Sequence, residues 1–217
     1  AIENLSPVRS NLFEKKVKSY QPTGEFKRIF GTCFDIICQE LDLTSDTRTV
    51  EMSFVSAFPG EPNVEGKTDT QATDPFRVAL VRNMSFLTLI PLAHEMVHVR
   101  DLAKGFLVPT PDDGMIYRGK QIHKQMAAKS REMNGLDSIV MPYEREAYKL
   151  QGPLVLTILE KLPADDIKWF EDQYNMFLPP TTLKGYVEKD MAAYQHKLDT
   201  ANKLFKGYKA QNRVQPY

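Results

Sequence analysis

The sequence has no excess charge of either sign and no long hydrophobic run. Lys plus Arg and Asp plus Glu each total 28 among 217 residues, so the net charge is zero. Such a balance does not favour broad binding to nucleic acids or to anionic membrane surfaces. The apolar run FLTLIPLA, residues 86–93, is too short to span a bilayer. The N-terminus contains no apolar segment typical of a signal peptide, so we expect a cytoplasmic protein.

Cysteine is also scarce. The two cysteines, Cys33 and Cys38, lie five residues apart in a segment predicted to be helical, where their side chains point in different directions. Side chains placed in this way are poorly positioned to form a disulfide with each other. We therefore expect two buried, reduced thiols, which is typical of a reducing compartment.

The pattern of apolar residues predicts an α+β fold with a small sheet. Spacings of three and four predict a helix over residues 24–43, and alternation predicts strands within 49–58 and 76–86. The segment between the two strands, residues 59–75, is rich in Gly, Pro and Asp and is predicted to be a long loop. The next helix is predicted from about Thr88, as its N-cap, to Gly105.

The C-terminal half is predicted to be mainly helical. Helices are predicted there at residues 125–133, 141–162, 164–177 and about 181–205, with an interruption or kink in the second at Gly152 and Pro153. One further helix is predicted near the N-terminus, at residues 10–20. We predict one domain over residues 1–178, with its motifs in 85–150. Residues 179–217 are expected to add a C-terminal helix and tail that pack on this domain or on a partner.

The segment PLAHEMVHVRD, residues 91–101, carries the strongest chemical signal. It contains two of only four histidines in the chain, and they are four residues apart. On a helix, His94 and His98 therefore lie on one face, roughly 6 Å apart, where both can bind a single zinc ion. Glu95 lies about 100° further round the helix, beside the metal rather than aimed at it. That position predicts a general base that acts on water.

A catalytic zinc site needs a third protein ligand. The metzincin pattern HExxHxxGxxH is excluded, because Asp101 and Lys104 stand where it requires Gly and His. A carboxylate from a later helix is the other common solution, and the segment PYEREAY supplies Glu144 and Glu146. Since two residues span about 200° of a helix, only one of these carboxylates can face the metal.

The segments LAHEMVHVRD, YRGK and MPYEREAY together resemble the gluzincin-type zinc peptidases, and in particular small metallopeptidase-like proteins encoded by phages and prophages. The resemblance covers roughly residues 85–150. It implies that Glu144, three residues before Ala147, is the third ligand, with Glu146 as the alternative. The chain departs from the family pattern at Tyr148, where an Asp or Asn would orient a histidine, so that role must be filled elsewhere.

Three further residues are candidates for the site. Tyr117 and His123 flank the RGK element, and either can stabilise an oxyanion, although a structural role is the alternative for both. Asp101 shares the face of His98 and can accept a ring N–H from a histidine, or it can be a solvated residue at the helix end.

These features predict a zinc-dependent peptidase, with Zn²⁺ as cofactor, Glu95 as general base and a protein or peptide as substrate. The alternative is a structural or interaction protein of a phage particle, in which zinc mainly stabilises the fold. If the protein is phage-encoded, we expect it in the host cytoplasm or in the virion, where its C-terminal helix can contact other virion proteins.

Overall fold

A computed structural model describes residues 11–18, 20, 22–112, 114–122, 141–175 and 182–212, without the side chains of 11, 174–175 and 204–212. The described helices are α1 (Asn11–Lys16), α2 (Gly24–Glu40), α3 (Leu89–Ala103), α4 (Pro142–Lys161), α5 (Ala164–Asn175) and α6 (Leu183–Asn212). The described strands are β1 (Val17–Lys18), β2 (Val50–Val55), β3 (Gly66–Thr73), β4 (Phe76–Val81), β5 (Leu107–Pro109), β6 (Met115–Tyr117) and β7 (Lys120–Ile122).

The strands form two small sheets. In the first the order is β1-β2-β4-β3, with β1, β2 and β4 parallel and β3 antiparallel to β4. In the second, β5, β6 and β7 follow one another antiparallel. A small sheet before the motif helix and a helical C-terminal region confirm the predicted α+β class.

Strand β2 shows how the sequence pattern becomes a buried surface. Val50 and Met52 are buried, whereas Glu51 and Ser53 between them are more exposed, because successive side chains of a strand point to opposite faces. Its neighbour β4 buries alternate residues in the same way, and the register places Val50 beside Phe76 and Met52 beside Val78. One apolar face of the sheet therefore covers the core.

Helix α3 lies at the centre of the fold. It contacts α4, β3, α2 and β4, and Arg100 and Ala103 are its only residues that are not buried. A helix that is buried on nearly all sides normally carries apolar side chains. Helix α3 instead places four ionisable groups inside the protein: His94, Glu95, His98 and Asp101.

The structure corrects several sequence predictions. The segment predicted as a loop, residues 59–75, contains strand β3, which forms because β4 supplies backbone partners for it. The first helix is shorter than predicted and gives way to β1 at Val17. Thr88 makes no side-chain cap for α3; Ser85 instead caps the short 3₁₀ turn that precedes the helix, accepting a hydrogen bond from the Leu87 amide.

Two further helices differ from their predictions in extent. Helix α4 continues through Pro153 as a single helix, so of the two predicted alternatives the interruption is wrong. Helix α6 begins at Leu183 and extends beyond the predicted end near 205, to Asn212. The helix predicted at 125–133 lies outside the described residues. Within the described part of the chain, no helix combines the length and apolar character that crossing a membrane requires.

Candidate metal centre

Three side chains from two helices meet at one point between α3 and α4. Nε2 of His94 lies 3.0 Å from Oε2 of Glu144, and Nε2 of His98 lies 3.2 Å from Oε1 of the same carboxylate. The two Nε2 atoms are 3.2 Å apart. These are the residues that the HExxH spacing and the later carboxylate predict as metal ligands, and each offers an atom suited to one ion.

Local structure explains how Glu144 reaches the histidines. Pro142 occupies the start of α4, where a missing N–H costs no helical hydrogen bond, and Glu144 follows in the first turn. A carboxylate is stabilised there by the positive end of the helix macrodipole. Because α4 packs along α3, its first turn lies over the face that carries His94 and His98.

The interactions within this cluster shift the pKa of a histidine and that of the carboxylate in opposite directions. Burial lowers the pKa of His98, but the hydrogen bond to Glu144 and the negative charges of Glu144, Glu95 and Asp101 outweigh it and raise the pKa to about 9. Burial raises the pKa of Glu144, yet its hydrogen bonds with both histidines prevail and lower the pKa to about 2. The site therefore stabilises both the cationic form of His98 and the anionic form of Glu144.

The donor atoms fit a metal ion. When both imidazoles are neutral, their Nε2 lone pairs and the Glu144 carboxylate face one point that a metal cation can occupy in place of the proton. Two histidines and one carboxylate are the protein ligands of one class of catalytic zinc site, which keeps a fourth position for solvent or substrate. The Glu144 side chain is 22% exposed, so the cluster is accessible to solvent from that side.

Glu95 is held by the edge strand β3. The hydroxyl of Thr68 donates a hydrogen bond of 2.6 Å to Oε2 of Glu95. A Cβ atom on Gly66 would lie 2.8 Å from Cγ and 3.0 Å from Oε1 of Glu95, so this approach requires glycine. Glu95 is only 5% exposed and interacts electrostatically with His98. Its carboxylate is thus fixed beside the cluster and is not one of the three converging groups.

A residue that the sequence reasoning missed orients His94. Nδ1 of His94 lies 2.8 Å from Oε1 of Gln151, so Gln151, and not the residue at position 148, contacts the second ring nitrogen of this histidine. Tyr148 instead packs its ring against His94, with centroids 4.6 Å apart. The position of Gln151 in the sequence could have identified it as a neighbour of the histidines. It lies seven residues, or about two turns, after Glu144 and so shares its helix face.

Glu146 points away from the histidines. Its Oε1 lies 3.7 Å from Nη2 of Arg100 and 3.8 Å from Nη2 of Arg118. It does not belong to the group of converging ligand atoms, which favours Glu144 in the choice between the two carboxylates. The difference follows from their separation of about 200° round α4.

Asp101 is fully buried, so it is not a solvated residue at the helix end. Oδ1 accepts hydrogen bonds from the Arg100 guanidinium, the shorter of 2.7 Å. Within the described part of the chain, neither Oδ2 of Asp101 nor Nδ1 of His98 has a hydrogen-bond partner. The predicted bond from a histidine to Asp101 is therefore not formed in this structure, although the negative charge of Asp101 acts on His98.

Tyr117 is mostly buried and lies near the site behind Tyr143. Its ring centroid is 6.3 Å from that of Tyr143, whose ring in turn lies 5.9 Å from His98. The Tyr117 hydroxyl accepts a hydrogen bond from Nε of Arg118. The structure does not bring Tyr117 into the group of converging ligand atoms. The other proposed oxyanion stabiliser, His123, lies outside the described residues.

No protein-family model, curated protein or solved structure matches this chain. The interpretation of the site therefore depends on its own geometry and chemistry.

Proposed function

We propose that the protein is a zinc-dependent peptidase of gluzincin type. The observation that carries this proposal is the convergence of His94, His98 and Glu144 on one point, with the carboxylate of Glu95 held beside it. Three protein ligands are typical of catalytic zinc sites, whereas structural sites are usually closed by four.

A bound zinc ion supplies the Lewis acidity that polarises a peptide carbonyl and acidifies water. His94, His98 and Glu144 would hold the ion. The Glu95 carboxylate accepts the proton of the attacking water and later passes it to the nitrogen of the leaving amine. Thr68 donates to Oε2 of Glu95, which leaves Oε1 to receive the proton. The near-complete burial of Glu95 fixes this geometry before substrate arrives.

The experiment compares the wild type with Glu95→Gln, using zinc content and cleavage of an unfolded protein substrate as readouts. The amide oxygen of Gln can still accept the Thr68 hydrogen bond, so we expect the variant to fold and to bind one zinc ion. Loss of the general base should lower the cleavage rate by about 10²- to 10⁴-fold. Glu188→Gln, at an exposed position of α6, is the matched control and should keep full activity.

Besides a failure to bind zinc at all, two results would refute the proposal. One is stoichiometric zinc in both proteins with no cleavage above buffer in either, which would favour zinc as a structural element. The other is selective binding of iron, because two imidazoles and a carboxylate also form iron(II) sites.

A further inference from the structure

We infer that Asp190 of the C-terminal helix determines which nitrogen of His94 carries the proton, and that it acts through Gln151. The three side chains form a continuous chain of hydrogen bonds across two helices. Oε1 of Gln151 lies 2.8 Å from Nδ1 of His94, and Nε2 of Gln151 donates a hydrogen bond of 2.8 Å to Oδ2 of Asp190. This inference rests on the proposed metal site and assigns to it two positioning residues outside the HExxH motif.

Asp190 determines which group donates and which accepts in each of these hydrogen bonds. An ionised carboxylate can only accept hydrogen bonds, so the neighbouring end of the Gln151 amide must be its NH₂ group. The opposite orientation would place the amide oxygen against the carboxylate. The carbonyl oxygen of Gln151 must therefore face His94.

The orientation of the Gln151 amide in turn determines the tautomer of His94. An amide oxygen only accepts, so Nδ1 of His94 must carry the hydrogen. In a neutral imidazole, Nε2 then holds the lone pair, and Nε2 is the atom that faces Glu144 and His98. Metal-binding histidines commonly donate their second ring N–H to such a partner, which fixes the tautomer and the ring orientation.

The packing between α4 and α6 keeps Asp190 in place. Gly152 lies so close to Met191 that any Cβ atom there would collide with it. Tyr148 stacks on Tyr194 at a centroid distance of 5.7 Å, and the Tyr194 hydroxyl donates to the carbonyl of Arg145. Gly152 directly follows Gln151 in α4, and Met191 directly follows Asp190 in α6. The first half of α6 is therefore part of the support of the metal site.

The test measures zinc affinity by competition with a chelator, together with the ¹⁵N spectrum of the histidines in the zinc-loaded protein. Gln151→Leu removes the acceptor and should weaken zinc binding by about 10- to 100-fold. Asp190→Ala leaves the amide free to rotate and should weaken it by a smaller factor. The wild-type spectrum should show metal at Nε2 of His94 and a slowly exchanging proton at Nδ1.

A double replacement separates positioning from general damage to the fold. In Gln151→Glu/Asp190→Asn, the residue at 151 accepts from both His94 and the new amide, so the donor role of His94 is preserved, and zinc affinity and the Nδ1 proton should return. The matched controls are Gln195→Leu and Asp199→Asn, because these residues form an exposed Gln–Asp hydrogen bond of 3.0 Å on the same helix. Both controls should bind zinc as the wild type does.

The outcomes are distinct. If the wild type binds zinc but Gln151→Leu binds it equally well, or if zinc occupies Nδ1 of His94, the positioning role is refuted while the metal site stands. If Gln151→Leu does not fold, failure of the double replacement to restore affinity refutes the inference. If the wild type binds no zinc, both this inference and the proposed function fail.

Discussion

Helices α2 and α3 both contribute buried residues to the core, yet they bury different chemistry. Helix α2 places aromatic and aliphatic side chains in the core, including Phe30, Phe34 and Ile37, together with two thiols. Helix α3 buries two histidines and two carboxylates among its apolar residues. Burial of apolar surface stabilises a fold, whereas burial of ionisable groups costs free energy unless they are paired. The comparison indicates that the buried residues of α2 mainly stabilise the fold. The buried polar residues of α3 contribute less to stability and instead form the candidate site.

The partners of the polar residues support this interpretation. Glu95 accepts from Thr68, His94 contacts Gln151, and both histidines contact Glu144. Breaking such a buried network by removing one partner leaves an uncompensated group. Substitutions in α2 should therefore lower the free energy of unfolding without changing metal binding. Substitutions of the polar residues between α3 and α4 should change metal affinity more than they change stability.

The largest effect on stability is expected in α2. Phe34→Ala should lower the free energy of unfolding by about 3–5 kcal/mol, because it leaves a cavity in a fully buried aromatic cluster. The folded fraction should still bind one zinc ion. Urea denaturation in the presence of a chelator measures the loss, and Phe58→Ala, at a half-buried position, should cost much less. A loss in Phe34→Ala no larger than that of Phe58→Ala would contradict the assignment of α2 to stability.

The second prediction concerns the two carboxylates at the start of α4. Glu144→Gln should weaken zinc binding by at least about 100-fold, which corresponds to about 2.7 kcal/mol, since a neutral amide is a poor ligand for zinc. Glu146→Gln should leave zinc affinity unchanged, because Glu146 faces Arg100 and Arg118. Competition titrations on both variants measure the difference. The reverse ranking would show that the wrong carboxylate has been assigned.

The smallest effect on stability is expected from ionisation of the two thiols of α2. Burial raises the pKa of Cys38 to about 12 and that of Cys33 further still. Neither thiol should react with a disulfide reagent at pH 8 while the protein is folded, and both should react in denaturant. The unfolded chain releases these protons above about pH 8.5 whereas the folded chain keeps them, so stability should fall as pH rises past that value. Rapid labelling of the folded protein at pH 8 would contradict this.

Much of the ligand geometry could be predicted from the sequence. The i, i+4 spacing of His94 and His98 determines a shared helix face, and Pro142 marks the start of the helix that carries Glu144. The separation of about 200° between Glu144 and Glu146 showed that only one can face the histidines. The shared face of the histidines and the approach of only one carboxylate are seen in the structure, because both follow from helical geometry. Metal binding by these groups stays a prediction.

The parts that the sequence did not predict depend on contacts between distant segments. Strand β3 is polar and lacks apolar alternation, and it forms because β4 pairs with it. Its position then provides Thr68 to Glu95, which no local pattern indicates. Asp190 is likewise linked to Gln151 only by the packing of α6 on α4. The pairing of His94 with His98 is thus a local property, whereas the approach of Glu144, Gln151 and Thr68 to this helix depends on tertiary packing.

Zinc X-ray absorption spectroscopy, performed with and without an added small thiol, tests the central claim most directly. The account predicts two imidazole ligands at about 2.0–2.1 Å and only light-atom ligands in the protein alone. When the thiol is added, a Zn–S distance of about 2.3 Å should appear while both imidazoles remain, because one position is open to exogenous ligands. A spectrum that lacks two imidazoles, or a four-coordinate site of protein ligands that the thiol does not change, would contradict it.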